Sequence, residues 1–339
     1  MIFSVVFHTL LRRVHPEKAV IPATPESMVY LLPCYNETRE ECQRSLDSLV
    51  DQIGVEKHQK AMMVICDGRV HGPGMEKTTA DHLLNDIFTN RSLREHIPAA
   101  YTSWDHSEMD VVVQKGTYRG VPYFCIIKQH NQGKRDSLIL ARSFLYNFNI
   151  RATRPAVIFS SYFFGIMTSF LTLDAGMSNV DVLIGIDGDT IFAPDCISEL
   201  LKQSHYKDTV GVGGYDSVYA QSSPWSFWTL YQAPEYAISQ CLRYFHQTIA
   251  THKTTLSGCC QLFKVCEITC GDRVLFDRFS YYPRATDNLL THTRATSGEG
   301  DYHVYLLHSA YPKACTRQAL KARAYTDVPQ SLSVFLSQR

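Results

Sequence analysis

Two short apolar runs that end at polar loops, with one amphipathic helix between them, constrain this chain most. Val29–Pro33 reads VYLLP and Ala61–Cys66 reads AMMVIC. Neither alternates with polar residues, so each reads as a strand buried on both faces, the mark of a parallel sheet. Thr38-x-x-Glu41 between them is a capping box, and Leu46, Leu49, Val50 and Ile53 recur at helical spacing. Gly54 is placed to end that helix. Strand–helix–strand with a right-handed crossover follows, and ligands of such sheets sit at the carboxyl ends of strands. Asn36-Glu37 and Asp67-Gly68 occupy those ends.

Further along, Val121–Lys128 and Val182–Ile186 read as strands, and Val210–Gly213 as another. Lys134-Arg135-Asp136 opens an apolar helix through Leu138, Ala141, Leu145 and Phe148, and Asp195–Gln203 reads as a second. Residues 69–120 read as a helix, Thr79 to Phe88, between long loops; beyond residue 215 the pattern is more helical. No linker divides the 339 residues. The expectation is a leader over 1–27, then one α/β domain over 28–339. The domain divides into 28–215 and a more helical 216–339.

Composition excludes several classes. Lys+Arg and Asp+Glu are 33 each, so no overall field draws the chain to nucleic acid. Eleven cysteines, with a vicinal Cys259-Cys260 and no zinc-like pairing of CxxC motifs, read as free thiols in a reducing compartment. The 14 histidines form no HExxH, and no GxSxG elbow is present. The run Pro155–Leu173 is long enough to span a bilayer, yet its Gly, Pro and hydroxyls favour a core or interfacial helix.

Four constellations carry chemistry. Asp187-Gly188-Asp189 ends the VLIGI run; two carboxylates on a Gly turn suit a hard divalent cation, although Asp-Gly pairs also make plain turns. Gly133-Lys134-Arg135 sets two cations at a helix start, where phosphate oxygens are attracted. Glu299-Gly300-Asp301 offers carboxylates for a general base at a loop. Trp225, Trp228, Tyr231 and Tyr236, with Gln232 and Glu235, suit stacking on sugar rings or packing in a helix core.

In order, Val64-Ile65-Cys66-Asp67-Gly68, Asn131–Ser137, Ile184–Thr190, Gln232-Ala233-Pro234-Glu235-Tyr236, Gly298-Glu299 and Ser333–Arg339 resemble the processive family-two glycosyltransferases, most closely the fungal-type chitin synthases. The resemblance covers Met28 to Arg339. It implies a GT-A domain with a mainly parallel central sheet and flanking helices. This domain would face the cytoplasm of an enzyme held in the cell membrane through segments outside this chain. The donor would be UDP-N-acetylglucosamine and the acceptor a growing chitin chain.

By the same resemblance, Pro33, Tyr35, Glu37, Asp67, Lys134, Arg135 and Asp187 would bind the nucleotide. Asp189, with Asp187, would hold Mg²⁺ or Mn²⁺. Trp228, Gln232, Glu235, Cys259, Gln338 and Arg339 would meet the acceptor. The catalytic base would come from Glu299 or Asp301. Here the chain departs from the family's Glu-Asp-Arg: Gly300 stands at the base position and Asp301 where Arg belongs. Of the family's QRRRW only Gln338-Arg339 is present.

Overall fold

The computed structural model describes residues 18–72, 74–151, 158–219, 226–250, 255–296 and 298–328, with 332 and 335; the side chains of 243–250, 294 and 296 are outside that description. The chain forms β1 (Ser27–Cys34), α1 (Arg39–Val50), β2 (Gln59–Cys66), α2 (Thr79–Asp81, carried on by a π turn to Ile87), β3 (Arg91–Thr102), β4 (Glu108–Tyr118) and β5 (Val121–Lys128). Next come α3 (Gly133–Asn149), α4 (Ser161–Ser169, with a π turn to Asp174), β6 (Val182–Ile186), β7 (Thr190–Phe192), α5 (Cys196–Ser204), β8 (Thr209–Val218) and α6 (Phe227–Ala250). The last elements are β9 (Cys260–Lys264), α7 (Glu267–Cys270), α8 (Asp272–Val274, with a π turn to Phe279), α9 (Leu289–Thr296), α10 (Glu299–Ala310) and β10 (Cys315–Thr326).

The strands form a single sheet in the order β3-β4-β5-β2-β1-β6-β9-β8-β10-β7. Its centre, β5-β2-β1-β6, is parallel, as the unbroken apolar runs predict. Antiparallel pairings widen it on both sides, β3–β4–β5 at one edge and β6–β9–β8 and β10–β7 at the other. Period-two alternation sorts the central strands onto two cores. Tyr30, Leu32, Met62 and Val64 pack with Leu46 and Leu49 of α1 and Leu200 of α5. Val29, Leu31, Met63 and Ile65 pack with Phe144 and Leu145 of α3 and Phe163 of α4. The mixed α/β sheet flanked by helices is the expected fold class.

The capping box forms: Thr38 Oγ1 accepts from Glu41 N at 3.3 Å and Glu41 Oε2 from Thr38 N at 2.7 Å. The helix stops at Val50, so Ile53 lies beyond it, 56% exposed. The helix expected at Thr79–Phe88 is present, but Arg91–Tyr118, expected as loop, is a long β hairpin at the sheet edge. Its outward positions carry charge, which hides a strand from an apolar-run reading and protects an edge. Of the Pro155–Leu173 run, residues 155–157 lie outside the described residues. From Ser161 on it is a helix whose Phe163, Met167, Phe170 and Leu171 are buried while Tyr162 and Leu173 face solvent. Among the described residues no helix is long and apolar enough to cross a membrane.

Candidate functional site

Strand order places the chemistry. β2, β1 and β6 are neighbours, so the residues that follow their carboxyl ends stand side by side. These are Asp67, Tyr35–Glu37 and Asp187–Asp189. A cleft of about 360 Å³ opens there, lined by Pro33, Tyr35, Glu37, Asp67, Lys134, Asp187 and Asp189, all expected. Cys34, Asn131, Gly133 and Ser137 complete the lining; the last three fall in the Asn131–Ser137 stretch but were not expected as binding residues. The Ser137 hydroxyl is buried with no hydrogen-bond partner among the described residues. Its signal in the sequence was its place at the end of the Asn131–Ser137 stretch.

Each carboxylate has a separate anchor. Asp67 Oδ1 accepts from Lys128 Nζ at 3.0 Å and from Gln132 N at 2.9 Å, fixing the turn that starts α3. Lys128, fully buried, also pairs with Asp136 at 2.7 Å, and Asp136 takes the Tyr101 hydroxyl at 2.5 Å. Lys128 and Asp136 lay outside the expected site, yet they hold its floor. Lys134 Nζ reaches Asp187 Oδ1 at 2.5 Å. Burial works against the Lys134 charge, but Asp187 more than offsets it and the ammonium is held above its usual range.

Glu37 bends back so that Oε2 accepts from Tyr35 N at 2.6 Å. Its carboxyl lies against Gly188, where a Cβ would meet Glu37 Cδ at 2.9 Å. Burial, then the charges of Asp187 and Glu37, push the Asp189 carboxyl up to about 7. Burial likewise raises Glu37. This concentration of negative charge on hard oxygen donors suits a divalent cation such as Mg²⁺ or Mn²⁺. The donors present therefore fit the ion, and Asp187 and Asp189 are the residues that would hold it.

Arg135 is not in the cleft. It is 2% exposed and caged by Phe279, Trp104 and Tyr302, with its guanidinium 4.8, 5.3 and 5.4 Å from the ring centroids. Seven residues on, Arg142 is wholly buried against Phe263 at 4.9 Å and Phe279 at 5.7 Å. Burial pulls its guanidinium down to about 10. The Glu299 charge acts on Lys134, Arg135 and Arg142 alike.

Glu299 is the first residue of α10 and half-buried; Asp301 is exposed. The acidic segment thus begins a helix rather than forming a loop, with Gly298 at φ 63° before it. Gly300 packs against the strand-leading segment: a Cβ there would lie 2.8 Å from the Leu256 carbonyl oxygen. Gly258, next along, would place a Cβ 3.4 Å from Lys134 Nζ. The start of α10 and the start of α3 are joined through this segment.

The acceptor candidates are split. Cys259 is half-buried, with Sγ 3.2 Å from Ser257 Oγ; burial, then Asp216 and Asp187, push its thiol well up. Trp228 and Gln232 lie on α6, where Gln232 is buried and donates to the Trp228 carbonyl at 3.1 Å, while Glu235 is exposed. Trp228 meets Phe335 of the terminal segment at 5.5 Å. Trp225, Gln338 and Arg339 lie outside the described residues. All eleven cysteines are free thiols.

A sequence model described as chitin synthase matches residues 3–109 and 105–339. Chitin synthase 8 of Verticillium dahliae is 41% identical over 360 residues, covering 99% of this chain and 58% of that protein. Chitin synthase 8 of Gibberella zeae is 44% identical over 324 residues, 95% of this chain and 48% of that protein. Chitin synthase csmA of Emericella nidulans is 25% identical over 364 residues, 100% of this chain and 19% of that protein. The chain therefore spans about half the length of the first two relatives, and less of the third. Among solved structures, a mannosyltransferase from Pyrobaculum calidifontis in complex with GDP-Man and Mn²⁺ aligns over 97% of this chain and 66% of its own, at 12% identity and a TM-score of 0.49.

Proposed function

Because this chain belongs to the chitin synthase family, we propose that it is the donor-binding and transfer domain of a membrane-held enzyme. That enzyme moves N-acetylglucosamine from UDP-N-acetylglucosamine to the 4-hydroxyl of a growing β-1,4-linked chain, with inversion. The domain faces the cytoplasm. The observation that carries the reading is the cleft in which the ends of three adjacent strands and the first turn of α3 converge.

In this reading Asp67 receives the uridine, and Lys134 with the amides that open α3 receives the phosphates. Asp187 and Asp189 would hold Mg²⁺ or Mn²⁺, which would supply positive charge to the diphosphate. Glu299 takes the proton from the acceptor hydroxyl as it attacks the anomeric carbon, and UDP leaves from the opposite face. Glu299 is preferred to Asp301 because it is half-buried and its charge acts on Lys134, whereas Asp301 faces solvent. Arg135 acts from beneath, as support for the start of α3. Trp228, Gln232, Glu235 and Cys259, with Gln338 and Arg339, belong to the acceptor side.

One observation favours a second reading, binding of the donor without turnover. Leu256 O occupies the space that a side chain at Gly300 would need, at the family's base position. Calorimetric titration of UDP separates the readings when paired with an assay of sugar transfer. The first expects Mn²⁺-dependent binding that is lost in Asp189→Ala, and a Glu299→Gln protein that binds UDP but transfers about 10² to 10⁴ times more slowly. Binding with no transfer by the unaltered chain supports the second. No UDP binding with Mn²⁺ present sinks both.

A further inference from the structure

At the β1–α1 junction, beneath the donor cleft, Cys34, Glu37 and Cys42 each bring a ligand atom within 4.8 Å of the other two. Among the described residues no other group of three His, Cys, Asp or Glu side chains converges so closely. The three come from one nine-residue knuckle: the last residue of β1, the turn, and the first turn of α1. The helix cap formed by Thr38 and Glu41 fixes the angle at which α1 leaves the strand. That angle turns Cys42 back toward Cys34.

We propose that Cys34, Cys42 and Glu37 form a second cation site, selective for thiophilic divalent ions of the Zn²⁺ class. Two sulfurs and one carboxylate oxygen make up three corners of the tetrahedron that Zn²⁺ prefers. Mg²⁺ and Mn²⁺ prefer the all-oxygen pair Asp187 and Asp189. Buried cysteines are ordinarily small apolar fillers. This pair differs in two respects. A carboxylate stands at liganding range, and both Cys34 and Glu37 line the open cleft, which gives an ion a route in. A further thiol is close by, since Cys66 is the register partner of Cys34 across β1 and β2.

The site is coupled to the cleft through Glu37. The same carboxyl lies against Gly188, between Asp187 and Asp189. An ion held by the thiols fixes Glu37 on their side and lowers the negative charge around the Asp187–Asp189 turn. Bound Zn²⁺ or Cd²⁺ therefore weakens Mn²⁺ binding without occupying its ligands.

The test uses the whole chain, metal-free and in a non-chelating reductant, titrated with Cd²⁺ and followed by the ultraviolet thiolate-to-cadmium charge-transfer band. Zn²⁺ uptake is measured in parallel by equilibrium dialysis. The expected result is a saturable band in the unaltered chain, with affinity lowered at least about tenfold in Cys42→Ser and in Glu37→Gln. Cys125→Ser, which removes a buried thiol outside the trio, and Asp189→Ala are expected to bind as the unaltered chain does. Melting curves of the metal-free proteins show which variants fold. If Cys42→Ser does not, Glu37→Gln on the cleft surface decides. The proposal is overturned if no band appears, if Glu37→Gln binds undiminished, or if Asp189→Ala abolishes binding.

Discussion

At the scale of single residues, close approaches make sharp predictions. Gly188 leaves room for the Glu37 carboxyl, and a Cβ at that position meets a movable side-chain end rather than backbone. Gly188→Ala should therefore lower Mn²⁺ affinity by about tenfold while leaving the melting temperature nearly unchanged. A loss of stability with unchanged affinity would place the role of Gly188 in the fold instead.

His303 gives a pH signature away from the cleft. Its Nε2–H donates to the Thr269 carbonyl at 2.8 Å, and its Nδ1 has no partner among the described residues. Burial, then the charge of Arg142, holds the folded imidazole well below its ordinary 6.5, so the native state keeps it neutral. The unfolded chain takes up a proton near 6.5, so stability is full above that pH and falls below it. The slope from this group is at most about 1.4 kcal/mol per pH unit. Denaturant melts between neutral pH and mild acid should show this slope, and His303→Gln should flatten it. Equal slopes in the two proteins would remove His303 as the cause.

Sequence alone separates strand-end carboxylates well, because an acidic residue stopping an apolar run is a local pattern. It does not separate Lys134 from Arg135. They are neighbours on the chain, but one reaches Asp187 and the other enters an aromatic cage built from Trp104, Phe279 and Tyr302, each far off in sequence.

Among elements, α3 joins the core on its own face of the sheet to the site. Its N-terminal turn is tied to β2 through Asp67, and to β5 through Asp136 and the wholly buried Lys128. Lys128→Ala removes the single cation between two buried carboxylates, so a loss of about 3–5 kcal/mol is expected in urea unfolding. Under about 1 kcal/mol would mean that water replaces the ammonium. The central strands, α1 and α3 are legible from sequence because their periodicities, two and 3.6, are set by burial on known faces. The β3–β4 hairpin and β10 are not. β10 alternates buried and exposed positions at its end, with charged residues Lys321 and Arg323 among alanines, and the small Ala322 and Ala324 give little apolar signal.

The whole molecule depends on that last strand. β10 runs parallel to β8 and antiparallel to β7, and β7 begins one residue after Asp189. Tyr325 and Thr326 pair with Ile191 and Thr190, so the Asp187–Asp189 turn is braced on its far side by residues more than a hundred positions later. A chain ending before Cys315 retains every residue that lines the cleft. It should nevertheless bind Mn²⁺ and UDP at least about tenfold more weakly, and calorimetry beside the full chain would check this. Unchanged affinity would show that β7 holds its place unaided.

The same arrangement bears on birth order. A ribosome working from the N-terminus releases the strand ends of β1, β2 and β6 early, and the acidic turn with them. For the time needed to make the 131 residues between Phe192 and Ala324, Asn36 and its neighbours can be in place while Thr190–Phe192 wait for the strand that will flank them. Pairing across so long an interval of chain is slow to find, since loop closure must precede any gain from contact. The nascent domain therefore passes through a stage with its pocket sketched and one wall unfastened. That stage is the one in which an unpaired edge is most open to capture by another strand.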